Sequence, residues 1–324
     1  MKFSKNIKIV SAIVLTVVLV WLLGMQVNLI DIFSLLKSMP TYLLVSSFAL
    51  YIFGHVGRTV RVSKLIGWKK SFHELFGVVC VHNLFVNVLP ARTGELSYFY
   101  LTKKRGFSLT KSGAVLIIAR ILDIVAISII LLIAILFAGT LSPLLHQLSY
   151  LVALLLVVCL VLLFSLVYSG KHFISGLKRL FSMIGLGKSK IVEWLIDKGE
   201  EVVDAFNVIR SKRKFLEHLG YSLFIWGVRF VLFYLITIGL GVKIGIWIGI
   251  IGIMFPMIST FLPIQGLGGF GTFEGVWTIS FMSLGISKEV AILTGFGFHL
   301  TFLMFAIIMG VYGLLTLMNF NRKK

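Results

Sequence analysis

The stretch His82–Gly106 reads HNLFVNVLPARTGELSYFYLTKKRG. An apolar run ends in Leu89-Pro90 and is followed directly by Arg92, Gly94 and Glu95, before the next membrane-length run has begun. If 74–89 were a span, Arg92 and Glu95 would lie outside. The chain would then have only 96–102 in which to bring Lys103, Lys104 and Arg105 back inside. That stretch as helix covers about 10 Å, a third of a hydrocarbon core about 30 Å thick. The alternatives are a short span with a charged cap, which leaves a basic loop outside, and a re-entrant hairpin over 74–102. The hairpin enters and leaves on the cytoplasmic side. Pro90 and Gly94 are natural breakers for its tip, and non-helical backbone at membrane depth is tolerated where it lines a cavity.

The composition agrees with a membrane setting. Of 324 residues, 58% are hydrophobic and 13% charged, against about 25% charged in a soluble domain. Apolar runs recur along the chain at the length a helix needs to cross a bilayer. The expected class is an all-α polytopic membrane protein, with 1–324 a single integral membrane domain. The formal net charge of +19 gathers between the apolar runs, as the positive-inside rule requires, and no basic soluble domain remains to bind nucleic acid. Cys80 and Cys159 lie within apolar stretches and make neither a disulfide framework nor a metal spacing. The first run follows MKFSKNIK without a small-residue cleavage site after Trp21, so it reads as an uncleaved first helix.

Placing every strongly basic segment on one side yields six full spans, at about 9–28, 41–60, 111–139, 149–169, 218–241 and 290–317. Two re-entrant hairpins, 74–102 and 244–283, complete about eight hydrophobic segments. Both termini are then cytoplasmic in a multi-pass protein of the cell membrane, and 29–40 is an outer loop. The linker 170–217 is cytoplasmic and amphipathic. Its Ile191, Trp194, Leu195, Val202, Phe206 and Ile209 recur at helical spacing, as for a helix lying on the membrane surface.

Two helices, a hairpin and a helix occur over 1–140, and the same order returns over 149–324. An offset of 179 carries Glu95 onto Glu274, Gly106 onto Gly285, Ser108 onto Ser287 and Arg120 onto His299. The residue matches alone are near the chance level, so the order of elements carries the inference. The first hairpin enters from inside and the second from outside, which makes two inverted-topology repeats, an architecture of transporters.

Ionisable side chains at membrane depth cost about 2.5–3.5 kcal/mol each and face an interior or a watery cavity. The candidates are Arg92, Glu95, Arg120, Asp123, Arg229, Glu274 and His299. Arg120 and Asp123 share a helix face, which allows them to pair. Arg229 is expected to face Glu95, Glu274 or a ligand phosphate. Arg58 and Arg61 either snorkel to the inner surface or contact the ligand. Asn83 and Asn87 could satisfy freed backbone groups or bind a headgroup. At the tips stand Pro90, Gly94, Pro263, Gly266, Gly268, Gly269 and Gly271. The glycines permit positive φ and close approach, and free amides at such a bend can hold an anion. No Walker loop, H-E-x-x-H motif or metal-ligand spacing is present, so no cofactor and no metal are expected.

GRTVR (57–61), NVLPARTGELSYFYLTKKRGFS (87–108), ARILD (119–123) and PIQGLGGFGTFEG (263–275) resemble the transmembrane region of the lysylphosphatidylglycerol synthetases, a flippase-like family. The resemblance covers nearly the whole chain. It implies movement of a lipid headgroup across the bilayer, with Arg92 and Glu95 on the first hairpin, Arg120 and Asp123 on the helix after it, and Glu274 on the second hairpin. The family pattern has arginine where this chain has His299. Full-length synthetases also carry a cytosolic aminoacyl-transferase domain. The stretch 170–217 is too short for it, so the chain is expected to act as the membrane part standing alone.

The expected function is a lipid flippase-like transporter. It would move a phosphate-bearing headgroup of a phospholipid, an aminoacylated phospholipid or a polyprenyl phosphate. Arginines would hold the phosphate, and Glu95 and Glu274 would bind a cationic group or carry coupled protons. The alternatives are an enzyme of lipid modification and a membrane subunit that docks a separate lipid synthase or glycosyltransferase.

Overall fold

A computed structural model describes residues 28–139, 143–183, 211–260 and 267–322, with scattered positions between 185 and 203. All of its regular elements are helical. The expected first span at 9–28, the tip residues Pro263 and Gly266, and most of the amphipathic pattern in 170–217 lie outside the described residues.

Residues 29–40, expected as an outer loop, instead form helix α1 (Leu29–Ser38). Asn28 caps it by accepting from the Ile30 amide at 3.0 Å. Its Ile32 is buried against Ile292 and Phe296 near the other end of the chain, and this tertiary burial decides for helix over loop. Helix α2 (Thr41–Ile66) ends at Gly67, whose φ of 67° forms a left-handed C-cap. Helix α3 (Phe72–Val88) ends because Leu89 precedes a proline and takes extended backbone. A 3-10 turn, Pro90–Glu95, then leads into the short helix α4 (Leu96–Lys103).

Ser108 caps helix α5 (Leu109–Phe137), and helix α6 (Pro143–Met183) is broken at Ser169. Ser211 caps helix α7 (Lys212–Gly239). Helix α8 (Ile246–Ser259), a second 3-10 turn (Leu267–Gly269) and helix α9 (Thr272–Ser283) follow. Helix α10 (Lys288–Arg322) is the last.

Among the described residues four helices are long and apolar enough to cross a membrane, namely α2, α5, α7 and α10. The stretch expected to span at 149–169 lies within α6, where Leu151, Leu154 and Val157 are exposed. The arms α3, α4, α8 and α9 have 17, 8, 14 and 12 residues. At 1.5 Å per residue each falls short of a hydrocarbon core of about 30 Å.

The heaviest packing is of α2 with α7 and of α3 with α10, and α5 also packs on α8. Close approach depends on missing side chains, as is usual between membrane helices. A Cβ on Gly313 of α10 would lie 2.8 Å from the Gly77 carbonyl oxygen of α3. Between α9 and α10 the core is aromatic, with Trp277 stacked 4.2 Å from Phe281 and tilted 4.7 Å from Phe298. The two 3-10 turns touch one another. Val192, Ile196 and Val203 of the linker pack on Ile174, Leu177 and Phe181 of the far end of α6.

Candidate functional site

The site begins with the backbone of the first turn. A Cβ on Gly94 would stand 2.1 Å from the Phe85 carbonyl oxygen and 2.3 Å from its carbon. Only glycine lets the turn lie against α3 here, with no flexible side chain able to yield. The base of this bent unit is clamped by Arg105, which donates from Nε to Glu74 Oε1 at 2.9 Å in a buried pair.

Arg92 has a φ of 57°, alone among the described non-glycine residues in being positive. Such strain persists where the surroundings over-determine it, and they do so here. Arg92 Nε donates to the Thr260 carbonyl oxygen at 2.9 Å, Nη2 donates to the same oxygen, and Nη1 donates to Glu95 Oε1 at 2.8 Å. The first turn is therefore tied to the C-cap of α8.

Arg120 Nη2 donates to the same Glu95 oxygen at 2.9 Å. Arg120 and Asp123 share a helix face that would allow them to pair, but each meets a different partner. Asp123 is held by both terminal nitrogens of Arg61, with Nη2–Oδ2 at 3.2 Å, and Arg61 Nη1 also donates to Ser222 Oγ at 2.6 Å. Arg61 is 2% exposed, so it does not snorkel. Its guanidinium meets a buried carboxylate that a surface position could not offer.

The second half repeats part of this geometry. Glu274 is fully buried; Oε1 lies 2.6 Å from His299 Nδ1, and Oε2 accepts from the Gly271 amide at 2.7 Å. Glu95 and Arg120 are 25 residues apart, and so are Glu274 and His299. The chain after each pair's glutamate closes alike. The Phe107 amide donates to Thr102 O and the Ile286 amide to Phe281 O. Gly106 and Gly285 between them have φ of 92° and 88°.

These parts enclose a cavity of about 100 Å³ where the two turns meet. Arg58, Arg92, Arg120 and Arg229 line it, with Asp123 and His299. Asn83, Asn87, Gly268 and Gly269 complete the predicted residues in its wall, whereas Glu95 and Glu274 stand behind it. Asn83 bridges Arg58 (3.3 Å) and the Tyr51 hydroxyl (2.6 Å), and Asn87 donates to the Asn83 carbonyl at 2.7 Å.

Arg229 meets neither Glu95 nor Glu274. It lies over the rings of Trp226, Phe233 and Phe302 at 5.1–5.3 Å, where the ring faces attract the cation without neutralising it. Glu274 is engaged at both oxygens, and Glu95 faces two arginines through Oε1. Both are already engaged by the protein's own donors. Among the described residues no cluster of metal-ligating side chains occurs.

Several partners carry no sequence signal. Thr260 acts through its carbonyl, Ser222 is one serine among many, and Tyr51 and Trp226 read as core. Glu74 and Arg105 were legible as ordinary loop-end charges, and only packing makes them a buried clamp.

The model of the family described as lysylphosphatidylglycerol synthase TM region matches residues 9–310. A UPF0104 membrane protein of Pyrococcus horikoshii is 27% identical over 244 residues, covering 68% of this chain and 70% of the relative.

Proposed function

The chain belongs to the lysylphosphatidylglycerol synthase transmembrane-region family and is a multi-pass membrane protein, and from that premise we propose that it translocates a phosphate-bearing lipid headgroup across the cytoplasmic membrane. The observation that carries this reading is the cavity walled by four arginines at the meeting of two broken helical units. Guanidinium groups bind phosphate through planar, bidentate hydrogen bonds, and a low-dielectric surround strengthens that attraction.

In this reading the two broken units are re-entrant hairpins of inverted repeats. The contact pattern supports it. The offset exchanges α3 with α8 and α5 with α10, so the packed pairs α3–α10 and α5–α8 become each other, while α2 faces its counterpart α7. Rocking one half on the other would open the cavity to either leaflet in turn, as in other inverted-repeat carriers. The lipid tails stay in the bilayer throughout. Arg92 is the residue most exposed to such a motion, because it joins the first turn to α8.

The test uses proteoliposomes of purified protein and lipids carrying a dye on a short acyl chain. An impermeant reductant bleaches only dye in the outer leaflet. Translocation takes bleaching past the outer-leaflet half, and Arg92→Gln and Glu95→Gln should slow it at least tenfold. Bleaching that matches protein-free liposomes would overturn the proposal if it held for phosphatidylglycerol, phosphatidic acid and polyprenyl phosphate, with and without a pH gradient.

A further inference from the structure

The proposed transport reading leaves the headgroup's charge open, and the cavity's own charges bear on it. Four arginines line the cavity. Glu95 offsets one of them by accepting from both Arg92 and Arg120 through a single oxygen. Asp123 is balanced by Arg61, which lies outside the cavity wall and engages both of its oxygens. The wall is therefore close to three positive charges. An ionised Glu274 beside a neutral His299 would still leave two.

The cations differ in how far they are committed. Among the described residues, Arg58 and Arg229 have no carboxylate partner. Arg58 donates to the Asn83 amide oxygen, and Arg229 rests on three aromatic rings. These two arginines also line a smaller cavity between α2 and α7, which adjoins the first. His55 lines that smaller cavity too. It is 6% exposed, and its Nε2 has no hydrogen-bond partner among the described residues. A buried imidazole nitrogen without a partner is costly, and here it borders the same two cations.

A headgroup carrying an amine would need an open carboxylate. Asp123 is engaged at both oxygens by Arg61, and Glu274 at both by His299 and the Gly271 amide. Glu95 faces two guanidiniums through one oxygen, so an ammonium at its other oxygen would sit beside both cations. An added ammonium would enter a field of like charge, which opposes binding.

Resting on the transport reading, we propose that the preferred ligand is a phosphomonoester, a doubly charged phosphate with no cationic group, seated against Arg58 and Arg229. A monoester phosphate carries about −1.5 to −2 charge near pH 7, which compensates most of the wall's surplus of two to three. A phosphodiester carries one charge and leaves part of that surplus buried without compensation. The monoester could arrive on a lipid or as a soluble molecule, and the experiment separates these sources.

The measurement is equilibrium binding to the full chain in detergent at pH 7.5, followed by intrinsic tryptophan emission, since Trp226 lines the cavity. The probes are phosphatidic acid, phosphatidylmethanol with the same acyl chains, lysyl-phosphatidylglycerol and inorganic phosphate. Phosphatidic acid should bind at least tenfold tighter than phosphatidylmethanol, which differs by one methyl ester and one charge. In Arg58→Gln and Arg229→Gln that ratio should fall below threefold. Because the wild-type ratio needs no variant, a misfolded variant does not weaken the test. Inorganic phosphate binding as tightly as phosphatidic acid would assign a soluble phosphomonoester; weaker binding by tenfold or more assigns the lipid. Equal affinity for the diester, or tighter binding of the lysyl lipid, overturns the inference. Monoester selectivity in a protein that leaves every dyed lipid untranslocated would uphold the inference and sink the transport reading instead.

Discussion

His299 Nδ1 lies 2.6 Å from Glu274 Oε1 across 25 residues of sequence, the separation that also joins Arg120 to Glu95. One half thus pairs its turn glutamate with arginine and the other with histidine. The second pair is the more deeply buried, with Glu274 at 0% exposure and the Glu95 side chain at 29%.

Burial sets the cost of breaking that second pair. Removing one partner of a buried hydrogen bond leaves the other polar group unsatisfied and costs about 1–3 kcal/mol, more where that group is charged. His299→Leu should therefore lower the thermal midpoint of the purified protein markedly. His299→Arg, which recreates the first half's pairing, should retain most of the stability. A His299→Leu protein that melts with the wild type would show that Glu274 does not depend on this contact.

Arg61 and Asp123 invite a paired test. Arg61→Leu or Asp123→Leu alone strands a buried charge, at about 3–5 kcal/mol, whereas replacing both by apolar residues can be close to neutral. The double variant is expected to fold better than either single one, read from the yield of monodisperse protein. Equal losses in all three would mean that the pair supports more than itself, with Ser222 the first partner to examine.

Gly94→Ala places a methyl group in the Phe85 backbone. Overpacking of this kind costs about 1–3 kcal/mol, and the relief available is movement of the whole turn. Dye-lipid translocation should fall at least tenfold. Gly227→Ala, where an added Cβ meets nothing within 4 Å, serves as the control and should stay near the wild-type rate.

Sidedness tests the inverted repeat directly. With Cys80 and Cys159 replaced, Lys104→Cys should resist an impermeant maleimide in intact cells, and Lys288→Cys should react with it. Each position stands at the loop between a broken unit and the following long helix. Labelling of both from the same side would exclude opposite insertion of the two halves.

The sequence by itself determined the all-helical membrane class, because apolar length and basic loops are local properties of the chain. It also located the break at Leu89-Pro90, since proline acts on its neighbours, whereas the end of α2 and the start of α7 each lie six residues beyond the expected bounds. The candidates Arg58, Asn83, Asn87, Arg92, Arg120, Asp123, Arg229 and His299 were all legible as polar groups in apolar surroundings, and the fold gathers them around one cavity. Their partners were not legible. Arg120 and Asp123, one turn apart, each found a different partner on another element, and residues 29–40 became helix through contacts with α10. Tertiary structure alone decided those pairings. A buried charge is stabilised by whichever opposite group the packing brings within hydrogen-bond distance, and separation along the chain does not encode that distance.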